Sequence, residues 1–333
     1  MKKNKFEKTN EGIVEQEETS EGMITKKNLY LSTIESKNTK SMNKYKRVSL
    51  SPIRYPGGKS LAVGHIIDLL PKDTKRIISP FFGGGSVEIA ISKHLNLEVI
   101  GYDIFDILMN YWKVQIKRPK RLYKELNLLK PTQKTYNKIK KELKNHWEGK
   151  IILDPVTLAR DYFFNFNLSY GPGFLGWASK MYLNKERYQK ILSKVENFSV
   201  KNLKVRCGSF EKAFKKYPND LFYCDPPYYI GVGSKMFRGI YPQRNFPIHH
   251  QNFKHEELRD LLKNHKGGFI LSYNDCPTIR EWYKEYKQIF PTWQYTMGQG
   301  ETRIGINRIE SGRKDNIKKS HEIIIYKPPE VIK

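Results

Sequence analysis

Leu221-Phe222-Tyr223-Cys224-Asp225-Pro226-Pro227-Tyr228-Tyr229 is an apolar run that stops at an acid, two prolines and two tyrosines. Apolar and aromatic side chains at every position predict a short strand buried on both faces. The prolines end it, because neither can donate to a sheet ladder. Pro227 also holds Pro226 in an extended conformation. Asp225 and the Pro226 carbonyl are thereby fixed at the carboxyl end of a strand, with the Tyr228 ring beside them. In open α/β sheets, ligands bind at that end.

An amine attached to an aromatic ring is a poor nucleophile, because its lone pair is delocalised into the ring. Two acceptors that take its two hydrogens favour a pyramidal nitrogen and free the lone pair. The Asp225 carboxylate and the Pro226 carbonyl are placed to be such acceptors, and Tyr228 to stack on the ring. The competing reading is a strand that ends in a proline turn, with Asp225 as a turn residue.

Upstream, Arg54-Tyr55-Pro56-Gly57-Gly58-Lys59-Ser60 is a glycine turn leading into a helix over 61–70. Ile53 stands where a phosphate-binding P-loop needs its first glycine, so the turn is not a P-loop. Arg76 to Ile91 reads as strand, Gly83-Gly84-Gly85 turn and helix, and a second strand over 97–101 runs into Tyr102-Asp103. Asp103 lies twenty residues after Gly83, the offset of the acid that binds ribose hydroxyls in nucleotide-binding βαβ units. The turn lacks the G-x-G-x-x-G pattern of pyrophosphate binding. An adenosine ligand without a pyrophosphate fits better, and S-adenosylmethionine is one.

Downstream, helix 256–265, strand 268–275, helix 278–286 and strand 322–326 continue the alternation. It predicts a mostly parallel sheet covered by helices. The loop over 231–253 and the basic stretch over 299–319 interrupt it. Residues 1–47 are polar, without a sustained period, and read as a disordered tail. Residues 117–202 are lysine-rich and helical, with Tyr136, Ile139 and Leu143 at helical spacing. Within them, 162–177 mixes aromatics, amides and glycines, either a surface for bases and phosphates or an aromatic core.

Sixty Lys and Arg against thirty-four Asp and Glu give a formal charge of +26. That balance favours a nucleic-acid or other anionic partner. No apolar run approaches the roughly 18 residues of a membrane span, and no signal-peptide core is present. The three cysteines and the histidines lack metal-ligand or disulfide spacing, so no metal and a reducing, cytoplasmic setting are expected.

Assembled in order, these motifs resemble the Dam-like, class alpha DNA adenine methyltransferases over about residues 50–329. The resemblance rests on Arg54-Tyr55-Pro56-Gly57-Gly58-Lys59, Pro80-Phe81-Phe82-Gly83-Gly84-Gly85-Ser86, Asp103 and Asp225-Pro226-Pro227-Tyr228. It extends to Leu271-Ser272-Tyr273-Asn274-Asp275, Arg280-Glu281-Trp282-Tyr283 and His321-Glu322-Ile323-Ile324-Ile325-Tyr326-Lys327-Pro328. It implies an α/β S-adenosylmethionine-dependent methyltransferase fold. That fold has a mixed, mostly parallel seven-stranded sheet with helices on both faces. It would occupy 48–116 and 203–333, with 117–202 an inserted helical target recognition domain.

By the same resemblance, Tyr55, Lys59, Phe82, Gly83, Gly85, Asp103 and Asp225 would bind S-adenosylmethionine, and Asp225, Pro226, Pro227 and Tyr228 would act on a flipped adenine. The partner would be double-stranded DNA, the chain a monomer, with a cognate restriction endonuclease or an orphan or phage role. Base reading is assigned to Asn165, Asn167, Tyr170 and Lys180, and phosphate contact to Lys138. The chain departs from the pattern in two places. Cys207-Gly208-Ser209-Phe210 stands where many relatives carry an acid before Phe. Leu168, not the arginine of GATC-specific members, follows Asn167. An RNA methyltransferase with the same D-P-P-Y site and a catalytically silent DNA-binding protein are the alternatives.

Overall fold

In a computed structural model of the chain, residues 20–37, 43–171, 173–229, 253–291 and 322–330 are described. The expectations for 231–252 and 299–319 lie outside them. Seven strands form one sheet: β1 (Arg76–Ser79), β2 (Glu98–Asp103), β3 (Leu203–Cys207), β4 (Leu221–Cys224), β5 (Phe269–Asn274), β6 (Lys287–Ile289) and β7 (Glu322–Lys327). Their order is β3-β2-β1-β4-β5-β7-β6. The first five are parallel, while β7 runs antiparallel between β5 and β6. The chain moves outward from β1 to β3, then returns to lay β4 on the other side of β1. The order therefore reverses between β1 and β4, and the crevice beyond their carboxyl ends is the expected ligand site.

Alternation along the strands builds a core on each face. Ile77, Leu221 and Tyr223 pack on one side, and Ile78, Phe222 and Cys224 on the other. The second face is covered by α9 (Phe210–Lys216), α10 (His255–Asn264) and α11 (Pro277–Trp282). The expected helix over 278–286 ends sooner, at Trp282, and the chain then enters edge strand β6.

The first face carries α1 (Ser20–Ile34), α2 (Val63–Asp68), α3 (Ser86–Ala90) and a π-helical turn, Ile91–Leu95. It also carries α4 (Asp106–Lys117), α5 (Pro119–Asn127), α6 (Gln133–Trp147), α7 (Pro155–Leu168) and α8 (Lys185–Glu196). Helices α5 to α8 lie within residues 117–202, between β2 and β3 in the chain. They share one continuous core with the sheet: Tyr111 of α4 stacks on Phe163 of α7 at 5.9 Å. Helix α7 starts sharply because Asp154 accepts from the Val156 and Thr157 amides at 3.0 and 3.2 Å, with Pro155 in its first turn.

The expectation of a disordered tail over 1–47 does not hold for its described residues, 20–37 and 43–47. Met23, Tyr30 and Leu31 of α1 are buried, at the spacing of one helix face. Tyr30 stacks on His94 at 4.2 Å, and Lys27 Nζ donates to the Asp68 and Leu70 carbonyls at 3.0 and 2.8 Å.

Candidate active site

A cavity of about 390 Å³ opens at the carboxyl ends of β1, β2 and β4. Its volume is within the range of small-ligand sites. Its floor is the glycine turn between β1 and α3. Gly83 sits at φ 47°, and a Cβ there would lie 2.8 Å from the Tyr55 ring. Phe82 N donates to the Tyr102 carbonyl at 2.8 Å, and the Phe82 ring packs beneath the turn, edge-on to Trp112. That packing requires glycine at 101, where a Cβ would lie 2.2 Å from the ring. Phe82, expected as a cofactor contact, is 2 % exposed; it lines the cavity and supports the turn.

The twenty-residue offset becomes a contact. Asp103, at the end of β2, accepts from the Gly83 amide at 3.0 Å and from the Phe105 amide at 3.0 Å. It ties the glycine turn to the neighbouring strand and lines the cavity. Tyr55 closes another side, stacked on Phe166 at 5.8 Å. Phe81 and Phe210 meet at 5.6 Å and give the cavity an apolar aromatic wall. The Gly208 amide donates to the Asp103 carbonyl at 2.9 Å, so the departure at 207–210 still packs against the acid.

Asp225 leaves β4 at the cavity with 21 % of its side chain exposed. Lys59, on the Tyr55–Lys59 turn, is only 5 % exposed. Its Nζ lies 2.7 Å from Asp225 Oδ1 and 3.7 Å from Glu322 Oε1, and donates to the Gly57 carbonyl at 2.9 Å. It also stands 4.9 Å from the centre of the Tyr228 ring. Burial pushes the Asp225 carboxyl above its usual range, and the Lys59 ammonium opposes that.

Two further acids face this centre. Glu88 of α3 accepts from Ser79 Oγ at 2.6 Å, and burial raises it to about 7, with the Asp225 charge adding to the effect. Glu322 opens β7 and is likewise raised to about 7 by burial, against the pull of Lys59. The Tyr228 hydroxyl donates to Glu322 Oε1. Glu88 lay outside the quoted motifs, and Glu322 stood within one without a role assigned to it. The signal was there as a charge in an apolar run, Val87-Glu88-Ile89 and Glu322-Ile323-Ile324-Ile325. Among the described residues no group of three or more His, Cys, Asp or Glu could hold a metal ion.

The residues assigned to base reading separate into two sets. Asn165 and Asn167 are both 0 % exposed, and this corrects their assignment. Asn165 Oδ1 accepts from the Leu175 amide at 2.8 Å. Asn167 Oδ1 accepts from the Arg54 amide at 2.8 Å, and its Nδ2 donates to the Phe163 carbonyl at 3.1 Å. Most of the aromatics expected to alternate with them, Tyr162, Phe163, Phe164 and Phe166, are core. Asn167 thus ties α7 to the Arg54 backbone, and Asn165 ties α7 to a loop over 169–179, bridged at Ser169 and Ala178. Tyr170 and Trp177 on it are 66 % and 59 % exposed, with Lys180 just beyond and exposed too. Gly173 and Phe174 of this loop line the cavity, so it stands at the mouth. Lys138, on α6, has 76 % of its side chain exposed, far along the same helical layer.

A sheet whose order reverses beside β4, a glycine turn braced by Asp103 and an Asp-Pro-Pro-Tyr mouth thus meet at one cavity. Residues 55–297 match the model of the D12 class N6 adenine-specific DNA methyltransferases, and the chain belongs to that family. It is similar to the type II methyltransferase M.FokI of Planomicrobium okeanokoites, 28 % identical over 262 residues, 71 % of this chain and 38 % of that protein. It is also similar to the modification methylase StsI of Streptococcus sanguinis, 21 % identical over 308 residues, 86 % of this chain and 44 % of that protein. The chain thus spans less than half the length of these curated relatives.

Proposed function

We propose that the chain methylates the N6 amine of an adenine that has been flipped out of double-stranded DNA, with S-adenosylmethionine as donor. The observation that carries this reading is the junction of Asp225, Pro226 and Tyr228 with the cavity over the Asp103-braced glycine turn. The cavity suits the donor: it has room for a nucleoside-sized ligand, an acid at the ribose offset and an aromatic wall for a purine. Tyr55, Lys59, Gly83, Gly85 and Asp103 would hold it there. When bound, S-adenosylmethionine supplies an electrophilic methyl group.

The Asp225 carboxylate and the Pro226 carbonyl accept the two hydrogens of the amine, and Tyr228 stacks on the ring. Pro226 and Pro227 keep those acceptors from moving. Lys59, 2.7 Å from Asp225 Oδ1, opposes the effect of burial on that carboxyl and orients it. The target must leave the helix at a cost of a few kcal/mol, because the amine cannot otherwise reach the cavity. The loop over 169–179, with Tyr170, Trp177 and Lys180, meets the DNA around the extruded base. Lys138 and its neighbours supply phosphate affinity. The chain would work as a bacterial or phage modification enzyme in the cytoplasm, and a cognate restriction endonuclease is its natural partner.

The test is to incubate the protein with S-adenosylmethionine and randomised double-stranded DNA, then read the modified base and its surroundings. N6-methyladenine in a defined sequence is the expected product. Methylated RNA with unmodified DNA would move the reading to the RNA alternative, and no product at all would refute it.

A further inference from the structure

Asn274 and Glu322 face each other across the antiparallel pair β5 and β7. Each holds one of the two tyrosines that follow the prolines. Asn274 Nδ2 donates to the Tyr229 carbonyl at 2.8 Å. Glu322 Oε1 accepts from the Tyr228 hydroxyl and lies 3.7 Å from Lys59 Nζ, whose closest acid is Asp225 at 2.7 Å. One carboxylate therefore touches both halves of the base site, the aromatic plate directly and the acceptor acid through Lys59.

A structural role alone does not explain this residue. Glu322 is 2 % exposed and opens a strand that continues Ile323-Ile324-Ile325. Burying a carboxylate there is costly unless it is paired and hydrogen-bonded, and replacing a buried ion pair by apolar residues is often neutral or stabilising. The fold gains little from an acid at this point. A stacking plate is different, because it must sit within small tolerances of distance and tilt to serve a reacting base. The hydroxyl anchor restrains the ring at its far end, where the backbone cannot.

Resting on the methyltransferase reading above, we propose that Glu322 is a positioning residue of the reaction. It fixes the Tyr228 ring and the Lys59–Asp225 pair in the geometry that receives the adenine amine.

The experiment measures methyl transfer to DNA by the full chain with S-adenosylmethionine, for the parent, Glu322→Leu, Glu322→Gln, Tyr228→Phe and the Glu322→Leu/Tyr228→Phe double variant. Glu322→Leu keeps bulk and removes the acceptor. We expect it to lower kcat about 100-fold, the scale of a misplacement near 1 Å, with KM for DNA and donor moved less than about threefold. Glu322→Gln still accepts from the hydroxyl and loses less than about tenfold. On the Tyr228→Phe background, Glu322→Leu costs far less than on the parent, because the contact is already gone. Equal fold-losses on both backgrounds, or a parent-like kcat in Glu322→Leu, overturn the proposal. If Glu322→Leu does not fold, Tyr228→Phe decides: a parent-like kcat overturns it, and a loss of about tenfold or more in kcat at constant KM supports it. A parent that methylates no DNA refutes the function itself, and the proposal with it. An active parent with an equally active Glu322→Leu refutes the proposal alone.

Discussion

Replacing Asn167 by alanine separates a latch from a base reader. In the structure the Asn167 amide bridges two places, the Arg54 backbone amide at 2.8 Å and the Phe163 carbonyl at 3.1 Å. Asn167→Ala leaves the partly buried Arg54 N–H without this acceptor, at a cost of about 1–3 kcal/mol. The Phe163 carbonyl keeps its place in α7, so its loss is small. Alanine's better helix propensity returns at most about 0.7 kcal/mol. A net loss of about 0.3–2.3 kcal/mol, at about 2–4 °C per kcal/mol, lowers Tm by about 1–9 °C. Thermal unfolding of parent and variant checks this, together with methylation of a randomised-site library. The expected outcome is a lower Tm, slower methylation and an unchanged preferred sequence. An unchanged Tm with an altered preferred sequence would refute the latch and return Asn167 to the DNA.

Asp103→Ala removes both the acid of the cofactor site and the acceptor for the Gly83 amide, so calorimetric titration should show much weaker binding of S-adenosylmethionine with DNA affinity largely retained. Glu88, raised to about 7 from an ordinary 4.5, binds a proton more tightly folded than unfolded. Parent stability therefore falls as pH rises from about 4.5 to about 7, by up to about 1.4 kcal/mol per unit. Glu322, raised likewise, adds to that slope, so Glu88→Gln, which keeps the bond from Ser79, should lose only the Glu88 share of it in denaturant unfolding at pH 5 and pH 8. Lys138→Ala should weaken binding to all DNA alike and lower the salt slope by about one unit, without changing the preferred sequence.

Much of the site was legible because its signals are local. Strand, acid and two prolines define the β4 end within nine residues, and the Gly83–Asp103 offset reflects one βα unit and its next strand. What escaped depends on neighbours distant in sequence. An interior amide such as Asn165 carries the same letter as a surface amide, and only the Leu175 amide ten residues on reveals its task. The helix at Ser20–Ile34 was obscured because three buried side chains are diluted among lysines, serines and threonines. Strand β6 has three residues and no pattern of its own, existing because β7 offers it an edge. Glu322 gains its meaning from Tyr228, ninety-four residues earlier.

In the proposed reaction Asp225 accepts from the target amine in the transition state. Single-turnover transfer of a labelled methyl group to DNA by the parent and by Asp225→Ala tests it most directly, with thermal unfolding to show that the variant is folded. The expected result is a folded variant whose rate has fallen by about a thousandfold or more, the scale of losing one preorganised electrostatic contact. A folded variant within about tenfold of the parent, roughly 1.4 kcal/mol in the barrier, would contradict it.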